Sequence, residues 1–192
     1  MSAYYNENNP YCVTWLRSLM QRKLICDGEV DPRPIQQVDF DDLTEFTQCH
    51  FFAGIGGWSY ALRLAGISDN EPLWTGSCPC QPFSQAGDMN GFKDERHLWP
   101  HWHGLIKAGR PSTIFGEQVA TGLAREWFSR VRSDLERMDY AVGGVNLCAL
   151  PYSRVYKRQR LYFMAHASTS RFPLWGNVQA IKEDGQTVKP WA

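Results

Sequence analysis

Residues 11–25, YCVTWLRSLMQRKLI, place apolar side chains at 12, 13, 16, 19, 20 and 24, a spacing that winds mostly onto one side of a helix. CDGEVDPRP, 26–34, breaks that pattern with a glycine and two prolines. Ahead of the helix, AYYNENNPY, 3–11, reads as a short extended piece ending at Glu7. FTQCHFF, 46–52, reads as a strand running into AGIGG, and WSYALRLAG, 58–66, as a helix closed by Gly66. EPLWTGS, 71–77, is a short strand that ends at a Cys-Pro-Cys turn. HLWPHWHGLIKAG, 97–109, suggests a helix, and PSTIFGEQV, 111–119, a strand with polar residues at its carboxyl end. GLAREWFSRVRSDLERMDY, 122–140, is the clearest amphipathic helix, and AVGGVNLCAL and RLYFMAH supply two more strands. The tail from 168 to 192 has no convincing period. Strands and helices alternate, which predicts an α/β fold on a mostly parallel sheet.

In such a sheet, ligands bind beyond the carboxyl ends of the strands. The unusual residues fall there: the glycine turn, the Cys-Pro-Cys turn, Glu117-Gln118-Val119 and the basic cluster before RLYF. FFAGIGG sets Gly54, Gly56 and Gly57 between a strand and a helix. Glycines there permit a tight turn and close approach of backbone to a ligand. The pattern is neither the dinucleotide fingerprint nor a nucleoside-triphosphate loop. By itself it reads equally well as a structural turn. A nucleoside-bearing ligand wants an acid at the end of a neighbouring strand. Asp69 and Glu71 are poorly spaced for that, whereas Glu7 and Asp31 both follow candidate strand or helix ends near the amino terminus. The acid-bearing strand is therefore expected first in sequence and beside the glycine strand in space.

Composition narrows the rest. With 192 residues the chain suits one domain with a real core, and 43% hydrophobic residues argue against wholesale disorder. Twenty basic and twenty acidic residues cancel, so net charge carries no mark of a polyanionic partner, and local patches must carry it if anything does. Nothing resembles a signal peptide and no apolar run spans a bilayer, so no membrane is expected. Six cysteines, at 12, 26, 49, 78, 80 and 148, are sparse for a disulfide scaffold and suit a reducing, cytosol-like compartment. Cys78 and Cys80, with His97, His101 and His103 nearby, raise zinc. One intervening residue is shorter than zinc clips use, and no second cysteine pair follows, so no metal is expected. Cys12, Cys49 and Cys148 lie among apolar residues and read as core fillers, and Trp99, Trp102, Trp127 and Phe128 as packing.

Taken together, these stretches resemble the catalytic domain of a DNA cytosine-5 methyltransferase of bacterial or phage type, in circularly permuted order. FFAGIGG is similar to the motif that wraps S-adenosylmethionine, and PCQPFS, 79–84, to the nucleophile motif, with Cys80 as the attacking thiol. GEQV, 116–119, stands where the family has Glu-Asn-Val: Glu117 matches and Gln118 departs. YKRQRLYFMA, 156–165, is similar to the Gln-x-Arg-x-Arg motif: Arg158 and Arg160 match and Tyr156 replaces the Gln. YYNENNPYC resembles the ribose-binding acid motif with Glu7, and DGEVDPRPIQQV the adenine-side motif, with Asp31, Pro34 or Ile35 at the key contact.

The resemblance implies a Rossmann-like S-adenosylmethionine-dependent fold over residues 1–166, with 167–192 an irregular tail that could begin a recognition domain. It implies Cys80, Glu117, Arg158 and Arg160 as catalytic. It implies cofactor contacts from Phe52, Gly54, Gly56, Glu7, Asn8, Asp31 and Pro79, and DNA contacts from Gln81, Ser84 and Arg96. SQAGDMNGFKDERHLW is similar to the family's loop that closes over the target base, with Gly87 and Gly91 as hinges. The family's target recognition domain and its last two motifs have no counterpart. The chain is thus expected to act on double-stranded DNA, in a bacterial or phage-infected cytoplasm, with help from a further polypeptide carrying the recognition domain. The competing expectation is an inactive binding module, or one half of a split enzyme. Phrased as chemistry, the thiolate of Cys80 would activate cytosine by adding to carbon 6, and Glu117 would exchange a proton at N3.

Overall fold

A computed structural model of the chain describes residues 2–79, 98–120, 122–149 and 158–167. Its elements run β1 (Ala3–Asn6), α1 (Pro10–Gln21), β2 (Gly28–Asp31), β3 (Gln48–Phe51), α2 (Gly57–Leu64), β4 (Leu73–Gly76), α3 (Trp99–Gly109), β5 (Thr113–Val119), α4 (Gly122–Glu136), β6 (Tyr140–Cys148) and β7 (Gln159–Ala167). Two 3-10 turns, Ile35–Gln37 and Phe40–Leu43, lie between β2 and β3. No helix among the described residues is long and apolar enough to cross a membrane.

Local chemistry explains the helix ends. Asn9 caps α1 by accepting the Tyr11 and Cys12 N–H groups at 3.0 and 3.3 Å, and Pro10 follows where a missing N–H costs nothing. The apolar spacing predicts a helix reaching residue 25, but the chain reverses at Lys23, which sits at φ 57°. Lys23 N–H reaches the Met20 carbonyl and Leu24 N–H the Leu19 carbonyl, the paired closure that ends a helix with one left-handed residue. Arg110, at φ 47°, ends α3 in the same hand.

Among the described residues, one seven-stranded sheet has the order β2-β1-β3-β4-β5-β7-β6. The pairings from β2 through β5 are parallel, with Asn6 opposite both Asp31 and Phe51. β7 runs antiparallel to β5 and β6, so the sheet is mixed rather than simply parallel-rich. GEVD, read from sequence as part of a break, forms the edge strand β2: its glycine starts the strand and both prolines come only after Asp31. Placed second in the chain, β2 reaches β1 through α1 as a short crossover.

Two cores flank the sheet. The smaller lies under α1 and α2 and holds Ala3, Tyr5, Leu16, Ile25, Cys26 and Ala53. The larger lies under α3 and α4, where Trp99, Trp102 and Trp127 pack edge to face at centroid distances of 5.6 and 5.9 Å. These tryptophans are buried packing groups, as their helical spacing implies. Register partners Gly76 and Gly116 make room for that layer. A Cβ on Gly76 would stand 2.5 Å from Trp102, and one on Gly116 2.1 Å from Phe163.

Candidate active site

β3 ends in a turn bent by three left-handed residues: Phe52 at φ 52°, Gly54 at 55° and Gly56 at 81°. Gly56 then caps α2. Phe52 is the costly member, because a side chain disfavours that conformation. β1 fastens the turn from the side. Ala53 N–H donates to the Asn6 carbonyl at 3.0 Å, and Gly54 N–H to Glu7 Oε2 at 2.7 Å. Glu7 Oε1 accepts Asn9 N–H at 2.8 Å, and a carboxylate with both oxygens so placed still has lone pairs to offer a ligand hydroxyl. A Cβ on Gly54 or Gly57 would meet nothing within 4 Å, so neither glycine is demanded by crowding within the chain. The turn leaves its outer side open to a ligand, beside the first N–H groups of α2, which a helix leaves without a partner of its own.

Asp31 stands on the same rim, at the end of β2. Burial works to raise its pKa, but bonds from Arg33 and Tyr4 outweigh that and hold the carboxyl below the usual carboxylate range. Tyr4 Oη donates at 2.6 Å, and Arg33 donates from Nε and Nη2 at 2.9 and 2.6 Å. Arg33 also reaches Asp42 at 2.9 Å.

Across from the glycine turn, Glu117 projects from the carboxyl end of β5. Arg160 Nε meets its Oε1 at 2.6 Å. Burial raises the Glu117 pKa, against the pull of Arg160 and Arg158. One cleft of about 670 Å³ joins these groups, lined by the turn from Phe52 to Ile55, by Gly57, Trp58 and Ser77, and by Glu117, Arg158, Arg160 and Tyr162. It pairs an acid flanked by two guanidinium groups with a wall of open backbone. The family model for C-5 cytosine-specific DNA methylases matches residues 67–189, a stretch that holds this acid and both arginines.

The chain belongs to the C-5 cytosine-specific DNA methylase family.

Type II methyltransferase M.AplI of Arthrospira platensis is 31% identical over 173 residues, covering 71% of this chain and 50% of the relative. Type II methyltransferase M.NgoMIV of Neisseria gonorrhoeae is 28% identical over 162 residues, covering 63% and 52%. The chain thus spans about half the length of these curated relatives. The crystal structure of Spodoptera frugiperda DNMT2 overlays 90% of this chain on 44% of that one with a TM-score of 0.59 at 16% identity, a likeness of fold.

In this chain the residues singled out from sequence fall into three groups. Phe52, Gly54, Glu117, Arg158 and Arg160 meet in the cleft. Gly56 turns inward onto Leu16 and Leu19, while Glu7, Asn8, Asp31 and Pro79 stand outside the cleft lining, Asn8 and Pro79 exposed. Cys80, Gln81, Ser84, Gly87, Gly91, Arg96, His97 and Tyr156 lie outside the described residues, as does the tail from 168 to 192. Gln118 is buried on the opposite face from Glu117, because neighbours on a strand point to opposite sides. Its Oε1 accepts Val119 N–H at 2.9 Å.

Cys78 answers part of the cysteine question: it is a member of the larger core, and burial pushes its thiol far up. A thiol held protonated is not a ready nucleophile. Sequence reasoning missed Trp58, Ser77 and Tyr162, and it read as a core filler Cys148, which lines the cleft half-buried. Trp58 follows the last glycine of the turn and Ser77 precedes the Cys-Pro-Cys stretch, so adjacency to both motifs was the available signal.

Proposed function

We propose that this chain is the catalytic domain, residues 1–166, of a methyltransferase that acts on carbon 5 of cytosine in double-stranded DNA through a covalent adduct at Cys80. The observation that carries the reading is the Glu117–Arg160 pair facing the glycine turn across one cleft. S-adenosylmethionine, held at that turn with Phe52, Gly54 and Gly56 and with Glu7, Asn8, Asp31 and Pro79 around it, supplies the methyl group. The open outer side of Gly54 and Gly57 suits such a ligand.

Cytosine carbon 5 is too weak a nucleophile to take a methyl group unaided. The Cys80 thiolate adds to carbon 6 and makes the ring enamine-like. Charge enters the ring, and Glu117 stabilises it by exchanging a proton at N3, a task helped by a pKa that burial has raised. Arg160 donates to the base O2 while holding Glu117, and Arg158 serves Glu117 or a phosphate through its planar fork. The carbon 5 proton then leaves to a base and Cys80 departs. The target base must leave the duplex stack to enter the cleft, with Gln81, Ser84 and Arg96 engaging DNA.

The sheet order supports circular permutation. β1 and β2, which carry Glu7 and Asp31 at their ends, come first in the chain yet lie beside the glycine-bearing β3. Relatives of about twice this span support the further reading that recognition and clamping of DNA come from sequence this chain does not cover, either continuous after the tail or on a separate polypeptide. We take a bacterial or phage-infected cytoplasm as its setting, by likeness to the bacterial relatives. That half-length span also favours a second reading, a module that binds cofactor or DNA without turnover by itself.

The test is transfer of a labelled methyl group from S-adenosylmethionine to duplex DNA, by the chain alone and with the segment that its relatives carry beyond this span supplied. Transfer should be very weak alone and restored by the added segment. A covalent adduct should form on DNA carrying 5-fluorocytosine and vanish in Cys80→Ser. An adduct that survives Cys80→Ser refutes the mechanism, and no transfer under any supply favours the binding module.

A further inference from the structure

Ser77 follows β4 directly, and the β4–β5 register of Gly76 with Gly116 sets it beside Glu117 on the neighbouring strand. Its Oγ accepts the indole N–H of Trp58 at 3.0 Å. The indole is itself fixed, 5.9 Å from the Phe115 ring and edge-on to Tyr162 at 6.0 Å. Tyr162 is the register partner of Glu117 on β7. Glu117 is therefore flanked by one strand on each side, and both flanks touch the same indole. On the β7 side Arg160 Nε occupies Oε1 at 2.6 Å.

A serine hydroxyl has a single proton and two lone pairs. With the Trp58 N–H on one lone pair, the hydroxyl proton is left to be donated to a partner other than the indole. We propose that Ser77 is a positioning residue for Glu117: its hydroxyl, oriented by Trp58, donates to the carboxylate and aims it into the cleft. The Ser77 hydroxyl is among the groups that favour the charged form of Glu117 against burial. Trp58 is the second residue of α2, so the device also links the glycine turn to the acid. The inference rests on Glu117 being the group that exchanges a proton with the base. Charged neighbours that act on Glu117 among the described residues are Arg160 and Arg158, Tyr162 adds a phenol from β7, and β4 contributes the neutral Ser77.

The experiment is a carbon-13 NMR titration of the Glu117 carboxyl in the full chain, with the signal assigned by its loss in Glu117→Gln. Ser77→Ala should move the titration upward by about one pH unit, the size of one lost hydrogen bond to a charged group. Ser77→Thr keeps the hydroxyl and should restore most of the original value. Trp58→Phe keeps a ring but deletes the N–H, and should shift the titration the same way by less. An unchanged titration in Ser77→Ala, a Ser77→Thr shift as large as that of alanine, or no response to Trp58→Phe overturns the proposal. The titration needs neither DNA nor turnover. A working Ser77 effect in a chain that never transfers methyl groups would count against the proposed function alone.

Discussion

The two halves of the sheet are built to different rules. β1, β3 and β4 are buried at every residue, sandwiched between the core under α1 and α2 and the core under α3. β5 and β7 bury alternate residues against α4 and α3, and their other face is only partly covered, with Trp58 of α2 against Phe115 and Tyr162. Phe115 and Glu117 of β5, Tyr162 and Met164 of β7 and Val145 of β6 are left half-exposed or exposed there. Burial on both faces makes polar residues find partners inside: Asn6 donates to the Arg33 carbonyl at 2.8 Å, Gln48 to the Ser68 carbonyl at 3.1 Å, and His50 Nδ1 meets Thr75 Oγ1 at 2.8 Å. The half-open side is where Glu117, Arg160 and the cleft lie. The parallel half thus commits both faces to packing, and the acid and arginines of the site are carried by the antiparallel half, whose second face is only partly covered.

The sharpest way to break this comparison is Trp102→Ala. Trp102 is wholly buried and touches the layer that Gly76 makes room for, so its removal should cost about 3–5 kcal/mol in denaturant unfolding. A loss below that of a surface substitution would mean that the layer under α3, where Trp102 meets Phe51 and Phe163, is not the packed core of the sheet. Acid should act next. Burial holds the His50 pKa down at about 3, below its ordinary value, so the folded state prefers neutral imidazole. That contribution is complete above the unfolded histidine pKa of about 6.5 and is lost as pH falls from there toward 3, at about 1.4 kcal/mol per pH unit for one proton. His50→Gln should flatten the stability profile in that window, and an unaltered slope would contradict the burial. The open face should respond least. Met164→Thr is expected to change stability by about 0.5 kcal/mol or less, because the side chain is half-exposed and threonine suits a strand. A cost like that of Trp102→Ala would show the face to be a covered core.

The sequence made the two halves legible to different degrees. The glycine turn and the strand carrying Glu117 follow from local pattern. The pairing of β1 with β3 was readable from a chemical want, an acid missing after the glycine helix and present at Glu7. Strand direction was not readable in RLYFMAH, because alternation gives the buried face and says nothing about which way a strand runs. GEVD hid as a strand because four residues at an edge carry little apolar pattern, and the prolines after it read as a break. The end of α1 at Lys23 was hidden because a left-handed lysine carries none of the signal a glycine would. Asp31 was chosen for a ligand, while Arg33 two residues on engages its carboxylate in the fold. Ser77 and Trp58 stayed hidden for a different reason: their contact joins α2 to the end of β4, and no spacing in the chain announces it.

Glu117→Gln, in a polypeptide extended to the length of the curated relatives, tests the central claim most directly. The glutamine keeps the shape and can still face Arg160, but it exchanges no proton. Transfer of labelled methyl groups to duplex DNA should fall by about 10²-fold or more, while the denaturant midpoint stays near that of the parent. Transfer at the parent rate would contradict the assignment of the cleft as the methyl-transfer site, and a midpoint lowered as far as that of Trp102→Ala would contradict the division of labour between the two halves.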